Sequence, residues 1–187
     1  MKEAGLQESP VDWEGALIQR ARSGDTRAFE RLYREHVGKV YGLCLRMTRD
    51  PALAEDCTQE TFINAWRALD RFETRSSVGT WLHRIAVNAV LAKRRKATAV
   101  VVDSELAEDG EESDTGWSLE TPLEVREIEK AIEDLPEGAR DVLVLYGIYG
   151  YSHSEAAEML GVAEGTCKAQ LHRARGLLRD RLGLEAH

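Results

Sequence analysis

The chain of 187 residues has no run of about 18 consecutive apolar residues, the length a membrane-spanning helix needs. Its first ten residues carry neither a basic start nor an apolar stretch, so the expectation is a cytoplasmic protein with no secretory leader and no membrane insertion. Cysteine is scarce: Cys44, Cys57 and Cys167 are odd in number, form no CxxC pair and sit inside apolar-periodic segments, which excludes a disulfide framework and a zinc site and leaves them as small core residues. There is no glycine-rich phosphate loop. The five histidines (His36, His83, His153, His172 and His187) are scattered, and no paired carboxylates stand in an apolar setting. The expectation is therefore no catalytic residue, no metal and no cofactor. Strand signals are nearly missing as well, since Val100, Val101 and Val102 form an isolated β-branched run.

What the chain has in abundance is charge, unevenly placed. The net charge of −8 argues against a nucleic-acid partner. Residues 14–96, however, hold 16 bases and 10 acids, whereas residues 97–122 hold eight acids and no base. That acidic stretch, with Gly110, Ser113 and Gly116 among its carboxylates, is too poor in apolar side chains to offset the entropy of ordering, and it reads as a flexible linker.

Either side of the linker the pattern is helical, giving an all-α chain of two small domains: 14–97, then a linker at 98–122, then 123–183. The first is expected to hold helices near 13–22, 26–48, 52–70 and 77–96, broken at Ser23-Gly24-Asp25, at Asp50-Pro51 and at 73–76. The second is expected to hold helices near 123–134, 137–148, 152–160 and 164–182, with Pro136 in a first turn and Gly150 and Gly161 in turns.

At about 100° per residue, Val78, Trp81, Leu82, Ile85, Ala89 and Ala92 share one arc of the fourth helix, the face it would bury. Thr80, Arg84, Asn88 and Arg95 fall together on a neighbouring arc, ahead of the basic run Lys93-Arg94-Arg95-Lys96. Guanidinium groups with an amide among them suit phosphates and base edges, although an ordinary solvated face is also compatible with this stripe. Near the end of the chain, Ser152 to Glu155 has capping-box spacing, and Gly161-Val162-Ala163 forms a tight turn into a second helix. That helix sends Cys167, Leu171, Ala174, Leu178 and Leu182 inward and Lys168, Ala169, His172 and Arg173 outward, as in a DNA-reading helix-turn-helix; a plain helical hairpin is the alternative.

Three blocks carry a family resemblance. Asp56-Cys57-Thr58-Gln59-Glu60-Thr61-Phe62, followed by Ala65-Trp66, resembles the core-binding helix of bacterial sigma factors. Thr80-Trp81-Leu82-His83-Arg84-Ile85-Ala86-Val87-Asn88 resembles their promoter-melting helix, and residues 152–175 are similar to their minus-35 reader. With no domain between the blocks, the short extracytoplasmic-function (ECF) class is the match. A free-standing helix-turn-helix regulator is the alternative function, but it leaves the block from Trp81 to Asn88 without a role.

The resemblance implies a protein that docks on RNA polymerase core and directs initiation at promoter DNA, with an anti-sigma factor as a further partner. It implies that Asp56, Gln59, Glu60 and Phe62 bind the core enzyme. It implies that Phe72, Ser76, Ser77, Arg84, Asn88 and Arg95 engage the minus-10 element, with a flipped base held in a pocket to which Asn88 contributes. Thr166, Lys168, Ala169, His172 and Arg173 would meet the minus-35 element, Arg173 reading guanine or clamping a phosphate. The sequence departs from the family pattern at Glu73-Thr74-Arg75-Ser76, at Leu91, where a polar residue is common, at Gln170, where many relatives carry Arg, and at Cys167, which replaces a usual Val. The acidic linker could imitate RNA electrostatically.

Overall fold

The computed structural model describes residues 13–73, 75–103 and 123–183, and every regular element among them is helical. In chain order these are α1 (Trp13–Arg22), α2 (Thr26–Thr48), α3 (Pro51–Ala68), α4 (Val78–Asp103), α5 (Leu123–Glu133), α6 (Glu137–Leu143), α7 (His153–Leu160) and α8 (Glu164–Arg181). A 3-10 turn (Leu69–Arg71) follows α3, and a π-helical turn (Val144–Ile148) follows α6.

Local chemistry accounts for the breaks. Asp25 caps α2 by accepting from the amides of Arg27 and Ala28, and its carboxylate also receives Arg20 at 2.7 Å. Asp50 caps α3 by accepting from Leu53 N–H, with Pro51 in the first turn, where no amide is needed. Between them Arg49 takes a left-handed φ of 61°, closing α2 with its N–H on Leu45 O. Ser77 Oγ accepts from the amide of Thr80 at 3.1 Å and so starts α4. The capping box between Ser152 and Glu155 forms in full, and Gly161 closes α7 at φ 67°.

Several expectations change. α4 runs on to Asp103, six residues into the stretch expected to be linker, because nothing between Ala97 and Asp103 breaks a helix. Residues 104–122, the remainder of the expected linker, lie outside the described residues. Pro136 is the residue before α6, extended at φ −53° and ψ 142°, and does not occupy its first turn. The helix expected over 137–148 changes to π geometry at Val144. Ala92 is exposed, while Ala86, Val87 and Val90 are buried.

These last residues show that α4 is covered on two sides. Its face with Val78, Leu82 and Ala89 packs on α2 and α3, and the face with His83, Val87, Val90 and Arg94 meets the C-terminal half. One apolar cluster therefore spans both halves, joining Val40, Leu43, Met47 and Val87 to Val142, Val144, Leu145 and Met159. Cys44, Cys57 and Cys167 are all free and buried within it, and burial pushes the Cys44 thiol up to about 12, far from a reactive thiolate.

Polar contacts tie the halves together. Arg94 forks onto Asp141 at 2.5 and 3.1 Å, with the aspartate side chain only 5% exposed. The carbonyl of Met47, near the C-terminus of α2, accepts from both Arg94 and Arg140, and Arg140 also donates to Glu133 O and Leu135 O. Arg46 holds Glu129 at 2.8 Å. The π turn and Gly150 (φ 74°) deliver two tyrosines to the first half: Tyr149 donates to Lys39 O at 3.2 Å, and Tyr151 OH lies 2.7 Å from His83 Nδ1.

His83 Nε2 is buried with no hydrogen-bond partner. Burial, with the nearby charges of His36 and Lys39, lowers its pKa to about 4; Tyr149 meets the ring edge-on, and Tyr151 binds Nδ1. Because the folded protein favours the neutral ring, stability is full above the unfolded value of 6.5 and is lost as pH falls from there toward 4, by about 3 kcal/mol in all. An NMR titration should find the His83 imidazole, assigned through His83→Gln, still neutral at pH 5. A midpoint near 6.5 in the folded protein would contradict the buried contact.

Candidate nucleic-acid interface

With two sides of α4 covered, the face left to solvent is the one that carries the stripe. Asn88 and Arg95 are exposed, Thr80 is half-buried, and Arg84 is about one-third exposed, with Nη1 2.8 Å from Glu158 Oε1 of α7. Ser76 is half-buried and Ser77 exposed at the start of the helix, so the candidate minus-10 residues apart from Phe72 gather along one edge of α4 and its N-terminal turn.

Phe72 is withdrawn from that surface. Its ring, 6% exposed, packs against Trp81 at 4.7 Å between centroids, while Arg22 donates to the carbonyls of Leu69 and Phe72. Packed there, the ring fixes the loop leading to Ser76. Leu91, on the same arc as Arg84, is half-buried against the cluster, and this accounts for its apolar character.

The second surface belongs to α8. Cys167, Leu171 and Ala174 are buried, whereas Thr166, Lys168, Ala169, His172 and Arg173 are all exposed on the outer side. Lys168 bonds Glu164 one turn earlier at 2.6 Å, a pair in water that a phosphate could displace at small cost. Gln170 does not belong to this surface: it lies against Gly138 of α6, where an added Cβ would stand 3.2 Å from its Nε2. Behind the helix, Arg175 sits over the ring of Tyr146, which stacks on His153 at 4.4 Å, and His153 Nδ1 is 3.8 Å from Cys167 Sγ.

The third surface is on α3. Asp56 and Gln59 are exposed, and Glu60 is 3.4 Å from Lys93 of α4. Phe62 is buried, 5% exposed and edge-on to Tyr33 at 4.7 Å. The apolar groups that do reach solvent here are Ile63 and Trp66, 51% and 41% exposed. They line a shallow cavity of about 520 Å3 whose floor includes Phe29 and Phe62, with Phe29 edge-on to Trp66 at 4.9 Å. Sequence reading found Trp66 but missed Phe29 and Ile63; the signal was two apolar side chains left over once the buried arcs of α2 and α3 were assigned.

Among the described residues no three His, Cys, Asp or Glu side chains come together as a metal site, and no helix is long and apolar enough to cross a membrane. The surfaces are made for contact.

Comparison with known proteins identifies the contacts' class. Residues 32–100 match the family described as Sigma-70 region 2, and residues 125–178 match Sigma-70, region 4. The chain is 35% identical to RNA polymerase sigma-H factor of Pseudomonas aeruginosa over 85% of this chain and 88% of that protein. ECF RNA polymerase sigma factor SigM of Mycobacterium tuberculosis is 35% identical over 91% of this chain and 85% of its own. For ECF RNA polymerase sigma factor SigW of Bacillus subtilis the figures are 34%, 88% and 94%. Among solved structures, the sigma factor RpoE of Bartonella quintana, co-crystallised with the anti-sigma factor NepR, is similar with a TM-score of 0.72 and 26% identity, covering 84% of this chain and 98% of that one. CnrH in complex with the cytosolic domain of CnrY gives 0.62 and 27%, covering 94% and 100%. Two family regions in order, a helical architecture shared with solved sigma factors and relatives matched over most of their length make this chain a member of the ECF sigma factors of bacterial RNA polymerase.

Proposed function

We propose that the chain docks on RNA polymerase core in the cytoplasm and directs promoter-specific initiation, with α8 reading the minus-35 element and the outer strip of α4 capturing an unstacked base of the minus-10 element. It contributes recognition and strand capture, not bond chemistry. The observation that carries this reading is the α4 surface: a helix covered on two sides leaves to solvent the arc of Arg84, Asn88 and Arg95. Asn88 offers a donor and an acceptor to the edge of an unpaired base, while Arg84 and Arg95 serve the phosphates on either side. The mixed surface of α3 supports a protein partner, for Asp56, Gln59 and Glu60 stand beside the exposed Trp66 and Ile63. An anti-sigma factor is proposed as a further partner, since RpoE was solved with the anti-sigma factor NepR bound.

In vitro transcription with core polymerase over a promoter library tests the reading, reporting activity and preferred sequence together. A second measurement checks dependence on the enzyme. With a net charge of −8 and two small DNA surfaces, the free chain should bind promoter duplex only weakly, and core polymerase should raise the affinity by making both surfaces act at once. Tight specific binding by the isolated chain at about 150 mM salt would count against it.

A further inference from the structure

We infer that Arg22 of α1 is a positioning residue for minus-10 recognition: by clamping the turn that feeds α4, the first helix sets which base the strip accepts. The inference rests on the reading of α4 proposed above and extends it to an element with no role so far. α1 ends ahead of residue 32, where the match to Sigma-70 region 2 begins, and it holds none of the candidate site residues.

The chain leaves α3 through the 3-10 turn, whose last carbonyls have no following helical turn to satisfy them. Arg22 fills that place from across the fold. Its Nε donates to Leu69 O at 3.0 Å and its Nη2 donates to Phe72 O, so one guanidinium fork takes two carbonyls three residues apart. A lysine carries a single ammonium on a flexible stem and does not reproduce that fork. The side chains beside these carbonyls are held as well, for Leu69 is 4% exposed and the Phe72 ring packs on Trp81 of α4. α1 is itself anchored at its other end, where Glu14 Oε1 meets His36 Nε2 at 2.8 Å, and along its length by the buried Leu17, Ile18 and Ala21. Ser76 and Ser77 follow Phe72 within five residues. That short connection is secured at one end by Arg22 and at the other by Ser77 Oγ, which accepts from the Thr80 amide. Freeing the first end lets Ser76 shift, while Arg84, Asn88 and Arg95 stay in place because they stand on the body of α4. Loss of the clamp therefore costs discrimination between bases more than it costs hold on the strand.

The test uses the full chain with core polymerase, the Arg22→Met and Arg22→Lys variants, and a promoter taken from the library selection. The promoter is pre-melted at the minus-10 element and carries each of the four bases at each position in turn. The ratio of affinities for the best and worst base, at the most discriminating position, should fall about tenfold in Arg22→Met and about threefold in Arg22→Lys, which keeps the charge and one hydrogen bond. Closed-complex affinity on intact duplex and binding to core polymerase should match the parent. Arg22→Lys should fold as the parent does by circular dichroism, so it decides the matter even where Arg22→Met fails to fold. An unchanged ratio in the lysine variant would overturn the inference, and so would a fall matched by an equal loss of closed complex, the mark of general destabilisation. The parent separates this role from the reading beneath it. A parent with no base preference on the pre-melted element removes the strand-capture reading and the positioning role together, whereas a discriminating parent with equally discriminating variants removes the positioning role alone.

Discussion

Asn88→Ala should leave closed-complex affinity on an intact promoter nearly unchanged while lowering open complex about ten- to a hundredfold. Its amide is exposed on the strip of α4, and its hydrogen bonds become available only to a base already out of the stack. Extruding a base costs a few kcal/mol, and losing bonds to its exposed edge removes about 1–3 kcal/mol of the return. Arg173→Ala should behave oppositely. This side chain stands on the exposed side of α8, so its removal should weaken closed-complex affinity by about 1–3 kcal/mol on duplex DNA. A promoter pre-melted at the minus-10 element supplies the opening energy and should restore activity to Asn88→Ala but little to Arg173→Ala. If Asn88→Ala opens ordinary duplex as well as the parent does, the capturing residue lies elsewhere on α4.

The largest stability effect is expected at the seam between the halves. Asp141→Ala takes from Arg94, 16% exposed, the carboxylate it forks onto, leaves it only the exposed Glu137 at 3.4 Å near the buried Arg140, and should cost about 3–5 kcal/mol in urea unfolding. The Arg94→Met, Asp141→Leu double variant removes both charges and should recover most of that loss, because an apolar pair needs no compensation. Equal losses from the single and double variants would mean that the ion pair is not what the seam depends on.

Much of this architecture was legible in the chain. The Thr80, Arg84, Asn88 and Arg95 arc follows from helix geometry alone, and the outward side of α8 follows from the inward spacing of Cys167, Leu171 and Ala174. These readings hold because a helix orders its side chains by local rules. The second covered face of α4 was not legible, although His83, Val87, Val90 and Arg94 recur at helical spacing. The partners of its polar members, Tyr151 and Asp141, lie 68 and 47 residues further on, and its apolar members Val87 and Val90 meet the C-terminal half, which the spacing within α4 does not announce. The burial of Phe62 and Phe72 was not legible for a related reason. Whether an aromatic ring faces a partner or the core is decided by what packs on it, here Tyr33 and Trp81, which the motif containing the ring does not specify. The π turn at Val144 is likewise set by the need to aim Tyr149 and Tyr151 across the seam.

The apolar cluster that runs through both halves has an energetic consequence for assembly on the polymerase. Apart from the shared cluster, the described residues of the C-terminal half have a small private core of Leu135, Ala139 and Ala174, with Leu143, Leu177 and Leu178 packed against it. Moving that half away from α2 and α4 brings water to side chains such as Val142, Leu145 and Met159, which are buried in the closed chain. At about 25 cal/mol per Å2 of apolar surface, such hydration is unfavourable enough that an opened free chain would be scarce. Any partner that draws the C-terminal half off α2 and α4 must therefore provide replacement apolar cover as well as a docking point, and a surface supplying only charge would not suffice.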